Sequence, residues 1–261
     1  MRVNNFDNLK ISIITVCFNS EKTINETLET INQQTFKNIE HLIIDGGSID
    51  NTLSIVKKYS HKKKIISETD NGVYDAMNKG IKYAEGDIIG FLNSDDLYAN
   101  NNVLSMIADI FQNNPSVDIC YSDLVYIKQF DINKVVRYWK SEPFYSGLFS
   151  KGWCPPHPTF FVRKSVYQRL GNFNIKYKIS SDIDLMIRFL ELNKINFKYI
   201  PKVLVKMRVG GMSNKNLTNI LKQNLEVFHI LRSHKVSHNP IIFLICKFIS
   251  RFKQFIYLNK T

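Results

Sequence analysis

The feature that most constrains this chain is a change of hydrophobic period, repeated four times within roughly its first hundred residues. ISIITVCF (11–18) is apolar and β-branched, which reads as a strand. SEKTINETLETINQQTF follows, with Ser20 as an N-cap and Ile24, Leu28 and Ile31 at helical spacing. HLIID (41–45), KIIS (64–67) and DIIGFL (87–92) are further strands. IDNTLSIVKKY, with Asp50 near its start, GVYDAMNKGIKYAEG and NNVLSMIADIFQNN are the helices that follow them. Apolar strands alternating with helices imply an α/β fold, a largely parallel sheet covered on both faces.

From residue 118 the pattern differs. DICYSDLVYI and KVVRYW suggest antiparallel strands, and CPPHPTFFV a proline-rich loop entering another. SDIDLMIRFLELN (181–193) is helical, and FKYIPKVLVKMRV is extended. A break at Gly210-Gly211 divides a domain over 1–210 from a helically patterned tail over 211–261. Hydrophobic residues make up 44% of the chain, enough for a sizeable core. Of 35 basic and 23 acidic residues, twelve and one (Glu226) lie from Lys198 onward, leaving 23 and 22 before it. The net charge of +12 therefore belongs almost wholly to the stretch from Lys198 to the C-terminus, whose basicity suggests an anionic partner. Cys17, Cys120, Cys154 and Cys246 show no CxxC spacing, which argues for reduced thiols rather than a disulfide framework or zinc site. MRVNNFDNLK is polar, so no secretory leader is expected there.

In an open α/β sheet, ligands bind beyond the carboxyl ends of the strands. Asn19, Asp45, Glu68, Asp70, Asp95 and Asp96 stand there. There is no GxGxxG after the first strand and no GxxxxGK[ST] anywhere, so a bound nucleotide would need a divalent cation on its diphosphate. Magnesium or manganese takes oxygen ligands, often one or two carboxylates completed by substrate phosphates. Asp95-Asp96 in GFLNSDDLY fits that task, although an aspartate pair can also merely cap a turn. A metal-dependent nucleotidyltransferase and a nucleic-acid-binding protein using the basic tail remain open on these residues alone; the latter leaves the clustered carboxylates unexplained.

ITVCFNSEKTINETLETINQQTF, IIDGGSIDNT, DNGVYDAMNKGI, GDIIGFLNSDD and SSDIDLMIR, in that order and spacing over about 10–210, resemble the successive motifs of family 2 inverting glycosyltransferases with the GT-A fold. The similarity leans toward bacterial enzymes that build capsule, O-antigen or exopolysaccharide. It implies a Rossmann-like, mixed, mostly parallel sheet, with a nucleotide-sugar half over about 1–100 and an acceptor-side half over about 101–210. It further implies transfer of a hexosyl or N-acetylhexosaminyl unit from a UDP-sugar, with Mn2+ or Mg2+, to a glycan or polyprenyl-diphosphate-linked acceptor. Thr15, Phe18, Asn19, Asp45, Asp70, Asp75, Lys79, Ser94, Asp95 and Arg208 would serve the donor, and Asp96 the metal. His157 would lie on the acceptor side and Asp182 would be the catalytic base. Two positions depart from the pattern: Gly46 stands for a carboxylate in DGGS, and Ser181 for a glutamate before Asp182.

NPIIFLICKFISRFKQFIYLNK (239–260) has no apolar run near the roughly 20 residues that span a bilayer. It suits an interfacial helix with basic residues toward anionic headgroups, or one docked on the protein itself. The first case implies a cytoplasmic enzyme held peripherally at the inner face of the membrane. No nucleic acid is expected as a partner.

Overall fold

The computed structural model of the chain describes residues 9–59, 63–210 and 217–256. β1 (Ile11–Cys17) is buried along its whole length. It is followed by α1 (Ile24–Asn32), β2 (Ile39–Asp45), α2 (Thr52–Lys58), β3 (Lys63–Ser67), α3 (Val73–Tyr83) and β4 (Ile88–Phe91). The four strands pair in parallel in the order β3-β2-β1-β4. Side chains alternate across the pleat, so Ile14 and Val16 enter one core cluster and Ile11 and Ile13 the other. Ser20 is not the cap of α1; its carbonyl accepts the Thr23 and Ile24 N–H groups in a preceding turn. Asp50 does act at a helix start, its Oδ1 accepting the Thr52 N–H at 3.0 Å.

Beyond β4 come β5 (Leu97–Tyr98), α4 (Val103–Asn113), β6 (Ile119–Lys128), β7 (Asp131–Trp139) and β8 (Phe161–Arg163). They are followed by α5 (Lys164–Leu170), α6 (Ser181–Met186), which runs on as a π-helical turn to Leu192, and β9 (Phe197–Arg208). The sheet continues as β4-β8-β6-β9-β5, with β7 on β6. β8, β7 and β5 join antiparallel, while β6 and β9 run parallel. The sheet is thus mixed and flanked by helices, as the family resemblance implies.

α7 (Leu217–Ser233) and α8 (Pro240–Ile256) complete the described chain. Val227, Ile230 and Leu231 of α7 and Phe243 of α8 are buried in the same cluster as Phe189 and Leu190. The tail therefore packs into the domain's core. Gly211 and residues 257–260 of the segment read as interfacial lie outside the described residues.

α3 lies flush on β1 because Gly80 has no side chain: a Cβ there would come within 2.4 Å of Ile14 Cγ2. Gly80→Ala should therefore destabilise the fold by about 1–3 kcal/mol, although alanine favours helix. Denaturant unfolding measures this, and unchanged or increased stability would contradict the packing.

Candidate functional site

β2 and β3 lie on one side of β1 and β4 on the other, so the strand order reverses between β1 and β4. That reversal opens a crevice beyond the strands' carboxyl ends. Two adjoining pockets of about 400 and 750 Å3 occupy it, and Ser20 and Ser94 line both. Their hydroxyls lie 2.8 Å apart, tying the loop after β1 to the loop after β4. The first pocket is lined by Phe18, Gly46, Asp70 and Val73, among others, and the second by Asn19, Asp50, Asp95 and Gln129.

Asn19 takes a positive φ of 47°, and its backbone N–H donates to Ser48 Oγ while its Oδ1 accepts the Ile49 N–H. Gly46 is informative. A Cβ at this position would sit 3.1 Å from Asp70 Oδ2 and 3.5 Å from the Phe18 ring. The carboxylate missing from DGGS would crowd Asp70, whose own carboxylate reaches that space. Behind the pocket, Lys79 Nζ binds Asp70 Oδ1 at 2.5 Å, Glu68 at 3.0 Å and the Thr69 carbonyl at 3.0 Å. Burial alone would lower the Lys79 pKa; the two carboxylates outweigh it and hold the ammonium above its ordinary range. Asp75 Oδ2 accepts the Asn71 N–H. Lys79 and Asp75 thus fix the turn that carries Asp70 and do not line the pocket.

Three further residues expected at the donor are placed elsewhere. Thr15 is fully buried within β1, with Oγ1 3.0 Å from His41 Nε2, because its position in the pleat turns it into the core. Asp45 lies beneath the pocket, its oxygens accepting hydrogen bonds from the Ser48 and Ser67 hydroxyls and the Gly47 and Ser48 N–H groups. Burial would raise the Asp45 pKa, but these hydrogen bonds prevail and hold it below the ordinary carboxylate value. It shapes the turn rather than offering an oxygen to a ligand. Arg208, placed at the diphosphate by resemblance, is only 1% exposed. Its guanidinium donates to the Asp95 carbonyl at 2.8 Å, the Gln129 carbonyl at 2.9 Å and the Glu26 carboxylate. It supports the acidic loop from behind.

That loop holds the strongest chemical signal. Asp96 is fully buried, with Asn93 Nδ2 donating to its Oδ2 at 3.2 Å. Its Oδ1 and the Asn93 Oδ1 lack any hydrogen-bond partner. Burial, reinforced by the Asp95 charge, pushes the Asp96 carboxyl well above its ordinary pKa, and burial raises Asp95 as well. Unpartnered oxygens beside paired carboxylates suit a hard cation. Among the described residues no three His, Cys, Asp or Glu side chains cluster to hold a metal. A cation at Asp95-Asp96 would therefore complete its shell with ligand phosphates, and the residues present fit one.

Asp182 and His157 share a separate cavity of about 150 Å3. Tyr126 lines it too and lies close enough to Asp96 to feel its charge, which relates the two sites. Asp182 stands at the start of α6, and its Oδ1 accepts from the Tyr74 hydroxyl at 3.0 Å. His157 packs its ring against Phe91 and Phe173, centroids 5.4 and 5.6 Å away. Burial pushes its pKa down, partly offset by Asp182, so the imidazole is neutral at pH 7. Ser181 Oγ donates to the Asn174 carbonyl, and Asp184 binds Arg188 and His234.

Sequence reasoning missed Glu226 of α7. Its carboxylate accepts the backbone N–H groups of Lys178, Ile179 and Ser180 at 2.9–3.0 Å, fixing the approach to Asp182. The signal was its solitude as the one acid of the tail.

Comparison with known proteins agrees with the fold that carries these residues. The model of "Glycosyl transferase family 2" matches residues 12–175. A PGL/p-HBAD biosynthesis glycosyltransferase of Mycobacterium tuberculosis is 30% identical over 216 residues, 78% of each chain. The crystal structure of Staphylococcus aureus TarS 1-349 in complex with UDP superposes with a TM-score of 0.64 at 21% identity. The match covers 85% of this chain and 65% of that one, slightly under two thirds of its length. The mannosyltransferase PcManGT of Pyrobaculum calidifontis, in complex with GDP-Man and Mn2+, gives a TM-score of 0.60 at 17% identity, covering 91% and 68%. The GT-A likeness establishes the fold.

A carboxyl whose pKa is raised by folding adds stability below its unfolded value, near pH 4, and loses it as the pH rises through the folded value. With EDTA present, Asp96→Asn should raise Tm by about 2–4 °C at pH 8, the shift of roughly 1 kcal/mol in a domain this size. The gap should close toward pH 4. A lower Tm for the variant at pH 8 would show that Asp96 is well satisfied without a cation.

Proposed function

The chain belongs to glycosyl transferase family 2, and from that premise we propose that it is a metal-dependent, inverting enzyme. It moves a hexosyl or N-acetylhexosaminyl unit from a UDP-sugar to an acceptor hydroxyl. The observation that carries this reading is the unpartnered, buried oxygen of Asp96, next in the chain to Asp95, which lines a nucleotide-sized pocket. The TarS structures with UDP and UDP-GlcNAc support a UDP-linked donor, and the PcManGT complex supports a divalent cation.

Phe18 and Val73 offer apolar walls to the nucleoside, and Asp70 and Ser94 offer polar contacts beside it. Asp95, Asp96 and Asn93 would hold the cation together with the diphosphate. Bound Mn2+ or Mg2+ supplies positive charge where the leaving diphosphate gathers negative charge. Asp182 takes the proton of the acceptor hydroxyl as that oxygen attacks the anomeric carbon opposite the diphosphate. The new glycosidic bond forms as the bond to the diphosphate breaks, and one displacement inverts the configuration. Tyr74 steadies Asp182 Oδ1, leaving Oδ2 for the acceptor, while Glu226 fixes the loop leading into α6.

The same reading sets the enzyme in cell-surface polysaccharide synthesis, peripheral on the inner face of the cytoplasmic membrane. Support for membrane contact comes from the orientation of α8, which reverses the sequence expectation. Lys247 and Arg251 turn inward to the Asp182 cavity, while Ile241, Ile245, Phe248, Phe252 and Phe255 form an exposed apolar stripe. The contact would thus be apolar, with the exposed Lys253 beside it. No helix among the described residues is long and apolar enough to cross a membrane.

UDP with Mn2+ should raise Tm, whereas UDP with EDTA, and GDP or dTDP with Mn2+, should not. Asp182→Asn should keep that shift yet lower turnover of the UDP-sugar by about 10²–10⁴-fold. No shift with any nucleotide, or full turnover in the variant, would overturn the reading.

A further inference from the structure

The cavity beside Asp182 has a second chemical character that base catalysis does not require. Arg137 of β7 and Lys247 and Arg251 of α8 all line it. The Arg137 guanidinium lies over the Tyr126 ring at 3.6 Å, and Lys247 Nζ donates to Asn224 Oδ1 at 2.7 Å. Neither Arg137 nor Lys247 forms an ion pair with a carboxylate among the described residues. Burial, and then the charge of Arg251, pushes Lys247 down to about 8; burial lowers Arg137 as well. Three cations against the single carboxylate of Asp182 leave the cavity with an excess of positive charge, which is unfavourable unless a further anion joins them.

A second, independent observation points the same way. Gln254 is only 7% exposed and its Oε1 has no hydrogen-bond partner; Gln223 Oε1 and Trp153 Nε1, on the same wall, are also unsatisfied. Buried polar atoms are ordinarily paired. Two amide oxygens seeking hydroxyl donors, one indole N–H seeking an acceptor and a group of cations describe a ligand that is both polyhydroxylated and anionic.

Resting on the assignment of this cavity to the acceptor, we infer that the acceptor is a sugar bearing a phosphate or diphosphate. Its anion is bound by Lys247, Arg251 and Arg137, and its reacting hydroxyl faces Asp182. α8 is then a specificity element: its inner face reads the phosphate and its outer face is the apolar stripe.

The chain's two tryptophans, Trp139 and Trp153, both line the cavity, so their fluorescence reports on it directly. Inorganic pyrophosphate, titrated in EDTA to silence the metal site, should change that fluorescence saturably. Lys247→Gln should weaken binding at least tenfold, while the exposed Lys253→Gln and the donor-side Asp96→Asn should not. Gln254→Glu places a carboxylate against the cations; it should abolish pyrophosphate binding while keeping or raising Tm, which separates lost recognition from lost folding. Dodecyl phosphate in phosphatidylcholine vesicles binding more tightly than pyrophosphate would identify a lipid-borne phosphate, and equal affinity a soluble one. No saturable change with pyrophosphate, or equal loss in Lys253→Gln, would overturn the inference. Loss of the metal-dependent UDP shift in a folded Lys247→Gln would also overturn it, by assigning these cations to the donor diphosphate. An intact UDP shift without pyrophosphate binding would leave the donor reading standing and remove this one alone.

Discussion

Arg208 is the point on which the site depends. It leaves the end of β9, nearly sealed from water, and binds the carbonyls of Asp95 and Gln129 and the carboxylate of Glu26. One guanidinium thereby joins the acidic loop after β4, the turn between β6 and β7, and α1. A buried arginine is tolerable only when its donors are satisfied, and here they are satisfied by the segments that must be held. The two-residue β5 pairs with β9 just beside it, Leu97 opposite Lys206. Asp96 can remain unfavourably buried beside the half-buried Asp95 because this clamp holds the loop against relaxing toward solvent.

A division of labour runs through the crevice. Residues with many internal partners (Asp45, Asp75, Lys79, Glu226) set backbone turns, and residues with few (Asp96, Asn93, Gln254) keep a buried polar atom without a partner. Asp45 and Asp96 make the contrast concrete, since both are fully buried aspartates. Hydrogen bonds from four groups keep Asp45 charged and inert, whereas Asp96 is left with one donor and an idle oxygen. Satisfaction, more than burial or charge, separates the structural carboxylate from the chemical one.

Much of this was legible in the residues. The parallel order of the first four strands follows from apolar runs alternating with amphipathic helices, and the acidic rim follows from what stands just past each strand. Thr15 was misplaced because sequence position near a strand end does not tell which face of the pleat a side chain takes. Arg208 was misplaced because an arginine's reach is long and its partners are distant in sequence, as Glu26 and Gln129 are. The tail was half legible: amphipathicity was evident, but which face docks depends on the cavity that Tyr126, Trp153 and Asp182 build from other elements. The i, i+4 pair Lys247 and Arg251 was the available clue that one basic face is a unit.

The most direct measurement is a calorimetric titration of UDP at pH 7 with and without Mn2+, on the wild-type chain and Asp96→Asn. If a cation settles on the unpartnered oxygen of Asp96, donor binding needs both the ion and that carboxylate. The wild type should then bind UDP only with Mn2+, and the variant should lose that binding. Equal UDP affinity with and without Mn2+, or binding with no dependence on Asp96, would contradict a metal-assisted donor site at the end of β4.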